Sequence, residues 1–313
     1  MSRPPAEHLA SEGVEHQETR ARGLAVRATS AVPKPKTHLR AWLRTLAFHT
    51  AAAAAALLFV GPLVLVLAAS LQPAGQALRA AAWLPESLSW SNYERIFAVA
   101  PLARYAANSL LISALAVPAT ILVASWAGFA MAQLPPRERY LLLTLAVALR
   151  MVPVTALWLT RFVMFTQLHL IDTVWPLLAP VWMGSSPLFV LLFYWSFRRT
   201  PQALFESARV EGMGALGIWA HVAMPLARPA TMAVGVLTFV QYWSDFINPL
   251  LYLRTDERYT LAVGLRIMQQ MDVTGGPLLM AASVVMTLPV LAVFLLAQRA
   301  FWPDARLAGV YGR

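Results

Sequence analysis

The sequence predicts an all-α, polytopic membrane protein: six transmembrane helices with a further helix in the loop between the fourth and fifth. Three observations carry that reading. Of its 313 residues, 58% are hydrophobic and 13% charged, whereas soluble domains are about half apolar and a quarter charged. Too little polar material is left to coat a globule of this size. Apolar runs recur at the length of about 20 residues that a helix needs to cross a bilayer. Lys and Arg gather on one side of those runs, as the positive-inside rule requires.

The elements follow in order. Residues 1–40 are rich in Ala, Glu, Arg and Pro without an apolar period, which predicts a disordered cytoplasmic tail. The spans are expected at about 46–70, 106–132, 140–165, 175–197, 226–250 and 278–300, with breaks at LPPRER (134–139), RRTP (198–201) and RTDERY (254–259). Seventeen Lys and Arg residues lie in the tail, the 133–139 and 198–228 segments and the C-terminal end, against six on the opposite loops. The first set marks the cytoplasm, and six spans place both termini there.

Composition excludes several functions. Cysteine is absent, so neither disulfides nor thiolate metal sites exist. The six histidines are scattered without ligand spacing, which argues against a metal centre. A net charge of +10 would suit nucleic acid, but these cations bracket apolar runs instead of forming a patch with interleaved aromatics.

The stretch Glu206–Pro229 contains Gly212, Gly214 and Gly217 in G-x-G-x-x-G spacing. A dinucleotide fingerprint must follow a strand and open a helix. Here the preceding residues read as helical, and the first acid downstream, Asp245, lies inside the fifth span. The chain also has no P-loop sequence. The 200–225 loop reads instead as two short helices at the membrane surface. Thr200 is the expected N-cap, with Pro201 at the first helical position. Leu204, Phe205 and Ala208 share one face, and Gly212 stops the helix. A second helix over Ala215–His221 is ended by Pro225.

This loop resembles the cytoplasmic motif of ABC-importer permeases, E-A-A, three residues, Gly, nine residues, then I-x-L-P. Glu206-Ser207-Ala208, Gly212 and Val222-Ala223-Met224-Pro225 occupy it; Ser207, Glu211, Val222 and Met224 are mild departures. Further likeness lies in Asn108-Ser109-Leu110, Met151-Val152-Pro153, Tyr242-Trp243-Ser244-Asp245-Phe246 with Pro249-Leu250, Tyr259-Thr260-Leu261 with Gly264-Leu265, Gln298-Arg299-Ala300-Phe301 and Ala308–Gly312. Together these are similar to the maltose-type second permease of the carbohydrate branch, over about residues 45–313.

The resemblance implies half of a transmembrane pathway, completed by a second permease subunit. Two copies of an ABC ATPase would sit beneath, and an extracytoplasmic solute-binding protein would dock outside. ATP and Mg would belong to the ATPase, with no cofactor on this chain, no enzymatic activity of its own and the bacterial inner membrane as its location. Glu206, Ser207, Ala208, Arg209, Gly212 and Pro225 would couple to the ATPase. Small residues permit close approach, Gly212 supplies backbone geometry closed to larger residues, and Glu206 and Arg209 offer charge-assisted bonds.

Charges within the spans mark the candidate pathway. Arg150 falls near mid-membrane, where an Arg costs roughly 2.5–3.5 kcal/mol on insertion scales and should face a cavity or partner. Arg161 is three turns on, on nearly the same helix face. It either pairs with Asp245 or snorkels outward. Asn108, Arg150, Tyr242, Trp243, Asp245 and Asn248 are the expected pathway residues, with the aromatics suited to sugar stacking. Two alternatives stand beside a sugar permease: a permease for a phosphorylated glycerol derivative or other polar solute, and a self-sufficient secondary transporter. The latter predicts internal repeats and leaves the long 200–225 loop without a role.

Overall fold

A computed structural model describes residues 37–73, 87–183, 186–271 and 276–301. Most of the expected tail and the Ala308–Gly312 ending lie outside the described residues. The chain divides into two compact units, Met1–Pro62 and Leu63–Arg313. The first ends within α1 (Thr37–Ser70), which already begins inside the stretch expected to be tail. The described side chains of this unit are exposed over an apolar helix, Leu57, Leu58 and Phe59 each above 70%. A helix of this composition finds its solvent in lipid or in another membrane helix.

The second unit is organised around α3 (Leu102–Gln133). Ala116, Thr120, Ala124, Gly128 and Ala132 recur every fourth residue along it and are all buried. Small residues at that spacing let helix backbones approach closely, the main source of association where lipid tails are as apolar as leucine. Pro118 lies inside α3 without ending it.

The remaining elements are α2 (Ser91–Val99), α4 (Pro136–Met151), α5 (Trp158–Gln167), α6 (Trp175–Trp182) and α7 (Pro187–Arg199). They continue with α8 (Gln202–Val210), α9 (Ala215–Leu226), α10 (Arg228–Trp243), α11 (Ile247–Tyr252), α12 (Leu261–Met271) and α13 (Gly276–Phe301). Among the described residues, Trp42–Ser70, Leu102–Gln133, Trp175–Arg199 and Gly276–Arg299 are long and apolar enough to cross a membrane; two bent pairs raise the total to six.

Those bends correct two expected spans. The third is broken between α4 and α5 by 82°. Pro153 has no N–H to donate and keeps Val152 extended (ψ 120°), so the ladder stops there. Arg150 and Arg161 therefore sit on two different limbs, not on one helix face. The fifth span is α10 followed by α11, separated at Ser244–Phe246. At its other end the chain turns by 83° between α9 and α10, at Ala227, just before Pro229 in the first turn of α10.

Three apolar clusters fill the second unit. Phe129, Phe193, Phe197, Phe205, Ile218 and Val234 form one, next to the 200–225 loop. Ile96, Leu102, Tyr105, Phe239, Trp243 and Leu261 form another. The third joins Ile112, Phe165, Leu177, Leu178, Tyr252 and Leu253.

Candidate functional site

The 200–225 loop is two helices around a glycine turn, as expected, with corrections at both ends. Thr200 does not cap α8. Pro201 holds it extended (ψ 132°), and it closes α7 through its N–H to the Phe197 carbonyl. α8 then starts at Gln202. Its buried face is Phe205 (0% exposed) and Ala208 (4%), whereas Leu204 is 42% exposed. The terminus of α8 is a Schellman turn. The Met213 N–H reaches the Ala208 carbonyl and the Gly212 N–H the Arg209 carbonyl, with Gly212 at φ +85°. A β-carbon there would meet nothing within 4 Å; the backbone angle alone calls for glycine.

The second helix does not stop at Pro225. It runs from Ala215 to Leu226 through a π-helical turn over Trp219–Ala223. In that turn the Met224 N–H reaches back five residues to the Trp219 carbonyl, the wider π-helical bond, and the helix continues through Pro225.

α8 and α9 are fastened to α3 by pairings that the sequence reading did not give, among them one made by Arg209, the residue expected to offer its charge to the ATPase. An Arg209 guanidinium N–H donates to the Gln133 side-chain carbonyl. The Trp219 indole donates to Ser125 Oγ at 3.2 Å, and its ring meets Trp126 edge-on. Phe205 packs edge-on against Phe129, centroids 6.0 Å apart. The opposite face is open. Glu206 is exposed, with no hydrogen bond or ion pair among the described residues. Val210 (89% exposed), Met213 (38%) and Leu216 (68%) leave an apolar edge beside it. Ser207 is exposed and bonds only its own turn, at the Leu204 carbonyl.

At the far end of α3 the Asn108-Ser109 pair holds the loop leading into α12. Asn108 Nδ2 donates to the carbonyls of Glu257 and Tyr259, at 2.8 and 3.0 Å. Ser109 Oγ accepts the Leu261 N–H at 2.9 Å, and Tyr105 OH donates to Asp256. The two sequence motifs singled out separately, at 108–110 and 259–265, are thus one contact. Asn108, expected to line the pathway, spends its amide on this clamp.

Asp172, which no motif flagged, organises the same loop from the other side. It sits at φ +62°, an unusual angle for a non-glycine residue. Its carboxylate accepts the N–H groups of Arg254 and Thr255 at 2.9 and 3.1 Å and the Thr255 hydroxyl. Arg258 lies 3.4 Å away. Burial pushes this carboxyl up, but the backbone and hydroxyl donors and the Arg258 charge outweigh it and hold its pKa below 3.8.

The expected pathway residues do not all converge. Trp243 is 3% exposed, stacked on Phe239 with centroids 5.5 Å apart, and donates to the Met286 carbonyl at 2.9 Å. It pins α10 to α13 and offers no free face for a sugar. Asp245 accepts the Asn248 N–H (3.2 Å) and Nδ2 (2.7 Å), opening α11. No ion pair joins it to Arg161; among the described residues the ion pair formed is Arg258–Asp172. Arg161 and Asp245 instead both lie within electrostatic reach of the Tyr242 and Tyr252 phenols. Tyr242 faces a cavity of about 70 Å³ with Thr120, Pro180, Ser186 and Gln241. Arg150 is exposed in the last turn of α4, where a cation suits the helix dipole.

The profile of the binding-protein-dependent transport system inner membrane component matches residues 120–307. The chain belongs to this permease family. The match takes in the 200–225 loop and both broken spans. The permease is 30% identical over 260 residues to the arabinooligosaccharides transport system permease protein AraQ of Bacillus subtilis, covering 82% of this chain and 92% of that one. It is 28% identical over 252 residues to the sulfoquinovosyl glycerol transport system permease protein SmoH of Agrobacterium fabrum, covering 80% and 88%. Its fold matches a chain in the crystal structure of a bacterial ABC transporter that imports the acidic polysaccharide alginate. That match has a TM-score of 0.68 and 17% identity, over 87% of this chain and 100% of the other. The permease is a multi-pass inner-membrane transport component, which sets aside the self-sufficient transporter.

Proposed function

We propose that this permease forms half of the translocation pathway of an ATP-driven importer for oligosaccharides. A second permease completes the pathway, two ATPase subunits bind the 200–225 loop from the cytoplasm, and a solute-binding protein delivers the sugar from outside. Both termini are cytoplasmic in this reading, on the side where the cations gather. ATP and Mg are held by the ATPase.

The observation that carries the proposal is the two-faced loop. One face of α8 is buried on α3, and the other presents Glu206 beside the apolar edge of Val210, Met213 and Leu216. The Gly212 turn fixes the angle between α8 and α9. A cleft with an apolar floor and a cationic rim fits such a surface, and its closure displaces α8 and what is fastened to it. Similarity to relatives named for oligosaccharides supports the solute class. Tyr242 is the residue best placed to meet the solute, at a cavity that also offers Thr120 and Gln241; Asp245 and Asn248 open the short helix that follows.

The test is co-purification of the tagged chain in mild detergent. A second six-span protein and a P-loop ATPase accompany the native chain, and the ATPase is lost from Glu206→Ala and Gly212→Val. A chain that imports solute alone overturns the proposal. A second reading, import of an anionic polar solute such as a phosphorylated glycerol derivative, is favoured by Arg150 and Arg161, since neither meets an acid within 4.0 Å among the described residues. Competition of uptake by neutral and acidic oligosaccharides of equal length separates the two.

A further inference from the structure

The end of α7 beside the 200–225 loop borders a cavity of about 500 Å³, a size within the roughly 300–1,000 Å³ of small-molecule sites. One wall is a single stripe of α7. Leu192, Trp195, Ser196 and Arg199 stand at i, i+3, i+4 and i+7, the spacing that keeps side chains on one helix face. Thr200, which closes α7, extends the stripe. The other wall comes from beyond the 200–225 loop, with Leu226 at the end of α9 and Pro229 in the first turn of α10. The cavity therefore lies where α7 meets the 83° turn at Ala227.

The stripe changes character along its length, which is about 10 Å of helix rise from Leu192 to Arg199. Leu192 and Trp195 lie toward the interior of the apolar span Trp175–Arg199, whereas Ser196, Arg199 and Thr200 stand at its end. The floor is apolar and the rim polar, with a tryptophan between them, the residue that favours the boundary of membrane and water. Trp195 is 52% exposed. No acid lines the cavity, and Arg199 forms no ion pair among the described residues. The Ser196 hydroxyl makes no hydrogen bond among them either. Arg198, in the same turn, is not part of the lining, so one of two adjacent cations is committed to the cavity.

We infer that this cavity binds an anionic phospholipid of the leaflet on the side of the 200–225 loop. The lipid phosphate accepts charge-assisted hydrogen bonds from the Arg199 guanidinium and a further bond from the Ser196 hydroxyl. An acyl chain lies along Trp195, Leu192 and Leu226. A zwitterionic lipid would bring its cationic group to a rim that offers it no acid. A soluble phosphate would leave the apolar floor bare, and an apolar helix of a neighbouring subunit would leave Arg199 unpaired. Anionic headgroups are recognised by basic pockets between membrane helices on these terms. The bound lipid touches both α7 and the turn at Ala227. The site depends on Trp175–Arg199 crossing the membrane and not on what docks at the 200–225 loop.

The full chain, purified with the subunits that accompany it, is reconstituted in phosphatidylcholine nanodiscs containing phosphatidylglycerol with a diazirine on one acyl chain. After irradiation, peptide mass spectrometry is expected to find lipid adducts in the 192–200 and 226–230 segments. Arg199→Gln and Trp195→Ala are expected to lower the adduct yield there several-fold. Arg198→Gln should leave it unchanged, and Arg199→Lys, which keeps the charge, should retain most of it. Equal losses from Arg198→Gln and Arg199→Gln would show an unselective cationic rim and overturn the site. Displacement of the lipid by excess inorganic phosphate would do the same, by marking a site for a soluble anion. So would a native complex without adducts in these segments, and loss of a co-purifying permease from Arg199→Gln would then identify the cavity as a subunit interface. The adduct map is read on the native chain, so an Arg199 variant that fails to fold leaves the site open to refutation.

Discussion

A β-carbon placed on Gly128 would meet the Phe193 Cβ at 2.8 Å, and the Tyr194 nitrogen and Val190 oxygen at 2.9 Å. Two helix backbones are in contact there, and no flexible side-chain end is available to give way. Gly128→Val is expected to force α3 and α7 apart and destabilise the second unit by about 1–3 kcal/mol, the range for overpacking a tight interior. Thermal inactivation in detergent reads the loss. Gly61→Ala is the control, since nothing lies within 4 Å of its position, and its midpoint should match the native chain.

Gly212 tests backbone strain without steric overlap. At φ +85° a larger residue is disfavoured by about 1–2 kcal/mol. Gly212→Ala is expected to weaken retention of the ATPase, with Gly212→Asn intermediate because asparagine tolerates this region better. Equal retention by all three would mean that the turn's angle is immaterial to the partner.

Acid should loosen the 253–261 loop. The folded-state pKa of Asp172 is depressed below 3.8, and an unfolded aspartate titrates near 3.9. Its stabilising contribution is complete above the unfolded value and is lost as pH falls through the folded one. Protease accessibility of the 253–261 loop should therefore stay flat from neutral pH down to about pH 4 and rise below it. Asp172→Ala should show the accessible loop at neutral pH as well. An Asp172→Ala loop as protected as the native one would sink the assignment.

Trp243 separates packing from solute recognition. Trp243→Phe keeps the stack on Phe239 but loses the bond to the Met286 carbonyl, for a loss of about 1 kcal/mol. Trp243→Ala opens a cavity and should cost about 3–5 kcal/mol. Both are expected to lower thermal stability while leaving the KM for uptake unchanged at permissive temperature. A KM raised by Trp243→Phe alone would return this residue to the pathway.

Because Arg161 and Asp245 form no ion pair among the described residues, the double substitution Arg161→Asp with Asp245→Arg is expected to rescue neither single defect in uptake. Rescue would reveal a state in which the two meet.

Much of this was legible along the chain. The apolar runs are long because a bilayer is thick, and helices long and apolar enough to cross one lie near the stretches read as spans one, two, four and six. The helix–turn–helix of the 200–225 loop was readable because E-S-A, Gly212 and Pro225 are local signals whose meaning lies within a few turns of helix. Gly212 did what its position promised. The misplaced cap at Thr200 and the unbroken helix past Pro225 came from reading one proline rule at a time. Pro201 acts backwards on Thr200, and a π turn accommodates Pro225.

What hydropathy hid is bending. An apolar run looks the same whether straight or broken, so Pro153 and the Ser244–Phe246 break left spans three and five overestimated as single rods. Pairing was hidden further still. Asn108, Trp243, Asp245 and Arg161 are polar or aromatic groups in apolar surroundings, which tells a reader that each needs a partner but not which one. Asn108 and Ser109 found theirs about 150 residues away, Trp243 found a carbonyl on the last helix, and Asp245 turned to Asn248 three residues on. Residue type sets the demand for a hydrogen bond or a counter-charge, and the chain's own periodicity places the helices. Only the packing of α3 against its neighbours, set by small residues that allow backbone contact, decides which demand meets which.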